Sequence, residues 1–251
     1  MTPDVVVDVG NTRIKWGTRR PDGTLVIDHV HLEYLNLGGL RQSLAVAHDS
    51  KWVIAGSNPE RQSQLAQWAR GEGATVVEIT SYQQVPIIVE VEHPGMVGLD
   101  RLLGAVAANR LRTPGRVALT VDVGTAVTVN RIDGHGVFTG GMILPGVRLM
   151  TRSLHENTAK LPLIESDSQR FRNRTFPGKS TAEAIRAGVS YAIVGAVRLA
   201  LDHAKVDGKY PQLFLTGGGA ASIRELLLDH KGTDVPTLVL DGLVITAESL
   251  P

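Results

Sequence analysis

Residues 4–17, DVVVDVGNTRIKWG, run from a β-rich stretch to an acid, a glycine, two small polar residues and a second apolar stretch. The acid, Asp8, falls where a buried strand should be ending. Residues 118–134, ALTVDVGTAVTVNRIDG, repeat the arrangement: a β-rich run, Asp-Val-Gly, small polar residues and another β-rich run. Both predict tight hairpins with Gly10 and Gly124 at or beside the turn. A third apolar run follows each, at 24–32 (TLVIDHVHL) and 137–145 (VFTGGMILP). Three strands at the head of each half, followed by helices, predict a duplicated α/β domain.

The remaining pattern agrees. Segment 40–48 predicts a short helix and KWVIAGS (51–57) a buried strand. PERQSQLAQWARGEG (59–73) predicts a helix with Pro59 in its first turn and glycine beyond its end. TVVEIT (75–80) predicts a strand and 98–112 a helix. Thr113-Pro114-Gly115 then breaks the chain, giving an N-terminal half 1–114 and a C-terminal half 115–251. Ile185, Val189, Ile193, Val197 and Leu201 recur at helical spacing within a long helix over 181–204. QLFLTGGGA (212–220) predicts a strand running into glycines, SIRELLLDH (222–230) a helix, and TLVLDGLVI (237–245) a strand closing the sheet. Segment 165–180 is polar and predicts a mobile loop, its basic run Arg170–Arg174 solvated.

Composition narrows the class. A chain of 251 residues has room for one large domain or two small ones sharing a cleft. Aromatic residues make up only 4%, so the core is expected to be aliphatic, with Trp16, Trp52 and Trp68 in it or half-buried. A net charge of +1 argues against nucleic acid or an anionic membrane as partner. With no cysteine there is no disulfide, thiolate metal site or cysteine nucleophile, which fits a reducing compartment. The start, MTPDVVVD, lacks the basic region and apolar run of a secretory signal. No stretch is expected to approach the roughly 18 or more apolar residues that a membrane helix requires. The expectation is a cytoplasmic protein.

The chemistry lies in three glycine-rich elements that follow strands, where backbone amides can turn toward an anion. At Asp8-Val9-Gly10-Asn11-Thr12 the amides and the Thr12 hydroxyl can hold a terminal phosphate, with Asp8 facing hydrated Mg²⁺. Lys15 either adds positive charge or is simply exposed on the next strand. Asp122-Val123-Gly124-Thr125-Ala126 offers a second phosphate grip. One such motif alone reads equally as an ordinary hairpin with an acidic corner; recurrence at matching positions of two halves favours phosphate handling. The third element, LTGGGA (215–220), is a near miss to the dinucleotide fingerprint, with Ser222 where the last glycine belongs. It fits a close-packing turn beside an adenosine, or a plain strand-to-helix turn. Gly178-Lys179-Ser180-Thr181 imitates the end of a phosphate loop, but position 173 is Asn and no buried strand precedes it. Thr181 instead caps the long helix, with Glu183 in its first turn.

HPGMVGLDRLLGAVAANR (93–110) is the most pointed constellation. A helix starting near Gly98 puts Asp100 and Arg101 in its first turn, where the helix N-terminus favours an ionised carboxylate available as a base. The guanidinium suits a substrate carboxylate or phosphate. Gly104 and Ala107 lie on the Asp100 side and let something pack close. An exposed Asp-Arg pair that only stabilises a helix start is the alternative. The eight histidines are scattered and form no metal-binding spacing.

These motifs, in this order, resemble the type III pantothenate kinases of the acetate kinase/sugar kinase/Hsp70/actin superfold. The resemblance rests on DVGNTRIKWG (8–17), PGMVGLDR (94–101), DVGTAVT (122–128), GGMILPG (140–146), GKSTAEAIRAG (178–188), LTGGGA and LDGL (240–243). It implies duplicated actin-like (ribonuclease H-like) domains, mixed sheets flanked by helices, with the active site in the cleft between them. It implies ATP-dependent phosphorylation of pantothenate, the first step toward coenzyme A, with Asp100 as the base. Gly98, Leu99, Asp100 and Arg101 would hold pantothenate, Arg101 on its carboxylate, and Thr181 would also contact it, from the same subunit or from the partner. Asp8, Val9, Gly10, Asn11, Thr12, Arg13, Ile14, Lys15 and Thr125 would bind ATP, with Asp8 at Mg²⁺ through water. Asp122 would sit at a monovalent cation, K⁺ or NH₄⁺. A homodimer joined through second-half helices is expected, with no nucleic-acid or membrane partner. The chain departs from the family pattern at Val91 (often Tyr), His93 (usually Asn) and Asn130 (usually Asp), and Asn130 is given no role. A kinase of the same superfold acting on another small hydroxy acid, and a non-catalytic nucleotide-binding regulator, are the alternatives; intact Asp8, Asp100, Arg101 and Asp122 argue against the second.

Overall fold

The computed structural model describes residues 1–31, 49–165 and 176–250. The helix expected at 40–48 and the run Arg170–Arg174 lie outside the described residues. The chain divides into two compact units, Met1–Leu111 with Thr237–Pro251, and Arg112–Pro236.

The first unit holds strands β1 (Val5–Val9), β2 (Arg13–Arg19), β3 (Leu25–His31) and β4 (Lys51–Gly56), helix α1 (Pro59–Gly71), strand β5 (Thr75–Glu78) and helix α2 (Leu99–Leu111). Its sheet has the order β3-β2-β1-β4-β5. The first three strands run antiparallel as a meander; β4 and β5 are parallel to β1. As the central strand, β1 is buried along its whole length, which is why its sequence is a near-continuous apolar run. Val5, Val7 and Val9 pack with Trp52, Ile54 and, from α1, Leu65, Ala66 and Ala69. Asn58 caps α1 by accepting a hydrogen bond from the Arg61 backbone N–H, and Pro59 follows at the first helical position. Trp16 and Trp52 are core residues, and Trp52 meets the half-buried Trp68 edge-on at 6.0 Å.

The second unit repeats this plan. It holds β6 (Ala118–Val123), β7 (Ala126–Ile132), β8 (Phe138–Pro145), α3 (Val147–Glu156), α4 (Thr181–His203), β9 (Gln212–Thr216), the short α5 (Ala220–Arg224) and β10 (Thr233–Asp234). The sheet order β10-β9-β6-β7-β8 matches that of the first sheet strand for strand, with the same parallel and antiparallel pairings. The expected duplication is therefore present. Leu119, Val121 and Val123 of β6 pack against Ile185, Val189, Ile193, Val197 and Leu201 of α4, the five positions picked out by helical spacing.

Four expectations need correction. Segment 237–245 is not a strand but part of α6 (Leu238–Ser249). An all-apolar run does not distinguish a buried strand from a buried helix by period. The run leaves the second unit after the two-residue β10 and packs on α2, β1 and β4 of the first, so the boundary after residue 114 does not assign the C-terminus. Gly242 lets α6 lie directly on the Leu103 carbonyl of α2, where a Cβ would overlap backbone. Second, residues 225–230 form a 3₁₀ turn after α5 rather than its continuation. Third, Ser180, not Thr181, caps α4: its Oγ accepts from the Glu183 N–H at 3.2 Å, while the Glu183 carboxylate accepts from the Lys179 N–H at 2.7 Å. Fourth, α4 is long and apolar enough to cross a bilayer by length and composition, contrary to the expectation that no stretch comes near. Its apolar side is the face that covers the second sheet.

Candidate active site

In the first unit, β1 carries Asp8 to the end of the sheet, 8% exposed. Asp8 is in register with Lys15 on β2 and Ala55 on β4, so the three share one face of the sheet. Lys15 is half-buried there, on the acid's side. The turn between β1 and β2 is closed by the Gly10 N–H donating to the Arg13 carbonyl at 3.0 Å. Arg61 donates to the Asn11 carbonyl at 3.1 Å, and Asn11 Nδ2 donates to Ser57 Oγ at 3.3 Å, tying the turn to the start of α1. Val9 and Ile14 point into the apolar core, so only their backbone groups are available to a ligand.

A second feature of this unit is the entry to α2. Pro94–Met96 make a 3₁₀ turn, and the Gly98 carbonyl accepts the first helical hydrogen bonds from Arg101 (3.1 Å) and Leu102 (3.3 Å). Asp100 folds back over Gly98: a Cβ built on Gly98 would stand 2.5 Å from Asp100 Oδ1. Glycine at this point is what leaves the carboxylate its position. Burial lowers the Arg101 guanidinium pKa below its ordinary value, opposed in part by the neighbouring Asp100 carboxylate. The close-packing partner expected beside Gly104 is Leu238 of α6.

In the second unit, Asp122 occupies on β6 the place Asp8 has on β1, in register with Thr128 on β7 and Thr216 on β9. The hairpin is closed by the Gly124 N–H donating to the Ala126 carbonyl at 3.0 Å. Thr125 is exposed at its tip, and its carbonyl accepts from the Gly146 N–H at 2.9 Å, which sets the start of α3 against the turn. Gly217, at φ +90°, lies against Asp122; any Cβ there would collide with Asp122 Oδ1 and with the Val123 backbone. The Gly219 N–H donates to the Val123 carbonyl at 2.9 Å. The glycines of LTGGGA are thus a close-packing turn beneath the Asp122 carboxylate. Thr181 is exposed in the first turn of α4.

Among the described residues no three His, Cys, Asp or Glu side chains gather into a metal cage. That suits a cation that keeps most of its water and is shared with a nucleotide's phosphates, for which a single carboxylate such as Asp8 suffices. Asp122 also offers a carboxylate to a cation, its Oδ1 lying against Gly217, where no Cβ fits. Sequence reasoning passed over Asn130, which is 2% exposed and donates from Nδ2 to Thr120 Oγ1 at 3.1 Å and Thr128 Oγ1 at 3.5 Å. The signal was present: positions 120, 122, 128 and 130 are polar at every second place in two strands otherwise rich in valine.

The fold has known counterparts. A Campylobacter jejuni protein described as belonging to the Baf family of transcriptional activators superposes with a TM-score of 0.64 at 17% identity, covering 97% of each chain. A Sinorhizobium meliloti protein described as a 2-dehydro-3-deoxygalactonokinase gives a TM-score of 0.57 at 18% identity, over 98% of this chain and 96% of the other. Among sequences, the type III pantothenate kinase of Thiobacillus denitrificans is 34% identical over 249 residues, covering 95% of this chain and 94% of the relative. The family model for type III pantothenate kinase matches residues 5–203, and the chain belongs to that family.

Proposed function

We propose that this protein transfers the γ-phosphoryl group of ATP to the hydroxyl of pantothenate, giving 4'-phosphopantothenate and ADP. The observation that carries the reading is the Gly98–Arg101 turn, with Asp100 laid over a bare glycine beside a half-buried cation, in a chain that matches the family over most of its length. Asp100 accepts the hydroxyl proton as the oxygen bonds to the γ-phosphorus and the bond to the β-phosphate oxygen breaks. Such a base is typically worth ~10²–10⁴ in rate. Arg101 pairs with the substrate carboxylate, and Gly98, Leu99 and Thr181 complete its contacts. The amides and hydroxyl of Gly10–Thr12, with Asp8, Arg13, Lys15 and the backbone of Val9 and Ile14, take the nucleotide phosphates, and Thr125 is a further nucleotide-binding residue. Mg²⁺ at Asp8 and a monovalent cation, K⁺ or NH₄⁺, at Asp122 supply charge neutralisation when bound; phosphoryl transfer depends mainly on positioning and electrostatics.

The proposed assembly is a cytoplasmic homodimer. Its support is the outer face of α4, where Ala184, Gly188, Ala192, Gly195 and Leu199 lie exposed along one side of a long helix and allow a second copy's backbone to approach. Light scattering showing a monomer would contradict it.

The test of function is ADP release with pantothenate, Mg²⁺ and K⁺, run beside Asp100→Asn. The parent turns over only when pantothenate is present, and the variant keeps its fold and loses turnover by ~10²-fold or more. Absence of pantothenate-dependent release in the parent, or release with another hydroxy acid instead, overturns the reading.

A further inference from the structure

Arg61 sits where a helix disfavours it. Asn58 caps α1 and Pro59 is its first residue, so Arg61 is the third helical position. Acids are favoured in a first turn, whereas a cation there faces the positive end of the helix dipole. The helix by itself gives no reason for an arginine at this place. The guanidinium reaches the neighbouring turn instead: Nη1 donates to the Asn11 carbonyl at 3.1 Å, across 50 residues of sequence. Asn11 is held a second time, by its own Nδ2 donating to Ser57 Oγ at 3.3 Å.

The second unit supplies an internal comparison. Asp8-Val9-Gly10-Asn11 corresponds to Asp122-Val123-Gly124-Thr125, and each hairpin is closed by its glycine N–H. The carbonyl of the residue after that glycine is held in both. Asn11 is held by the Arg61 side chain, and Thr125 by the Gly146 backbone N–H at 2.9 Å. The donors come from unrelated places: Arg61 from the helix after β4, Gly146 from the residue that follows β8. Two different donors on one equivalent carbonyl point to a requirement on the peptide rather than on either helix.

Peptide geometry says what that requirement is. The Asn11–Thr12 bond is trans. A planar trans peptide sends its C=O and its N–H in opposite directions. Fixing the Asn11 carbonyl toward α1 therefore turns the Thr12 N–H away from α1. A backbone N–H held in one direction is a donor that has no reorganisation to undergo when an anion arrives.

We propose that Arg61 is a positioning residue: by holding the Asn11 carbonyl, it aims the Thr12 N–H at a phosphate of the nucleotide. This rests on the nucleotide role proposed for the Gly10–Thr12 turn. It assigns the arginine to the orientation of the backbone and not to contact with the phosphate.

The experiment uses the full-length protein, Arg61→Ala and Arg61→Lys, with the β,γ-imido analogue of ATP and Mg²⁺ as the probe, so that the first two readouts need no turnover. By calorimetric titration Arg61→Ala should bind the analogue about tenfold more weakly, near the lower end of what one hydrogen bond to a charged group supplies. Arg61→Lys keeps a donor on a long side chain and should recover most of the loss. The second readout is the Thr12 amide resonance, which the analogue should move downfield in the parent and leave nearly unmoved in Arg61→Ala. The third is ADP release, where Arg61→Ala should raise the KM for ATP by the same factor with the KM for pantothenate unchanged. An Arg61→Ala protein that binds the analogue as tightly as the parent overturns the inference, even if its melting temperature has dropped. So does weaker binding with the Thr12 shift intact, the signature of a guanidinium that touches the phosphate directly. Arg61→Lys behaving like Arg61→Ala, or a parent that does not bind the analogue, overturns it as well. A parent that binds the analogue with the Thr12 shift but releases no ADP with pantothenate overturns the substrate reading and leaves this inference standing.

Discussion

Gly98→Ala isolates the geometry of the proposed base. Gly98 does not occupy a left-handed backbone conformation, so alanine introduces no backbone strain. The new Cβ would stand 2.5 Å from Asp100 Oδ1, where ordinary contact begins near 3.4 Å. One of the two must move by roughly 1 Å. The carboxylate is the free end of a short side chain, whereas Gly98 is held by two backbone hydrogen bonds at the start of α2. The carboxylate therefore swings, and the fold stays. A displacement of about 1 Å at a reacting group costs on the order of 10²-fold in rate, which is about 2.7 kcal/mol of barrier. The expected loss of stability is smaller, about 1 kcal/mol for alanine in place of glycine at a helix start. Steady-state ADP release and thermal melting, measured on the same preparation, separate the two. The signature is a kcat lowered about 100-fold with a melting temperature within a few degrees of the parent. A kcat within about twofold of the parent would refute the argument that Asp100 must lie over Gly98 to work.

The other predictions concern the scaffold. Gly242→Ala places a Cβ into the Leu103 carbonyl, forces α6 away from α2 and should destabilise the first unit by about 3 kcal/mol; an unchanged denaturation midpoint would contradict the direct helix contact. Ser180→Ala removes the oxygen that accepts from the Glu183 N–H, so stability should fall by about 1 kcal/mol, while Thr181→Ala should cost less, because Thr181 is not the cap. Burial raises the Asp241 pKa, opposed by its hydrogen bond from Thr237. A raised folded-state value means that the protonated acid is favoured in the fold, and that this stability is lost as pH climbs through the raised value. Asp241→Asn should therefore gain in melting temperature relative to the parent between about pH 4 and pH 7, and a gain that shrinks over that range would refute the sign.

The repeated pattern around Asp8 and Asp122 was enough to specify two three-stranded meanders, because alternation and a following glycine are local properties of a strand and its turn. The spacing of Ile185, Val189, Ile193, Val197 and Leu201 likewise specified α4 and the face it buries. Asp100 was legible because a helix start and its charge preference are also local. Other features required the folded chain. TLVLDGLVI has no period that separates helix from strand, and its helical form is decided by the surface it meets: α2 with room for Gly242 and nothing larger. The positions of the Asp100 and Asp122 carboxylates depend on Gly98 and Gly217, and for Asp122 the glycine comes from the turn after β9, nearly a hundred residues away. Asn130 could be read as a polar residue in a strand, but its partners are set by sheet register, which pairs Thr120 with Asn130 and Asp122 with Thr128. Sequence determined which segments fold and which residues bear charge, since those follow from neighbours along the chain. Tertiary structure decided which glycine lies against Asp122 and which hydroxyls meet Asn130, since those depend on backbones brought together from distant parts of the sequence.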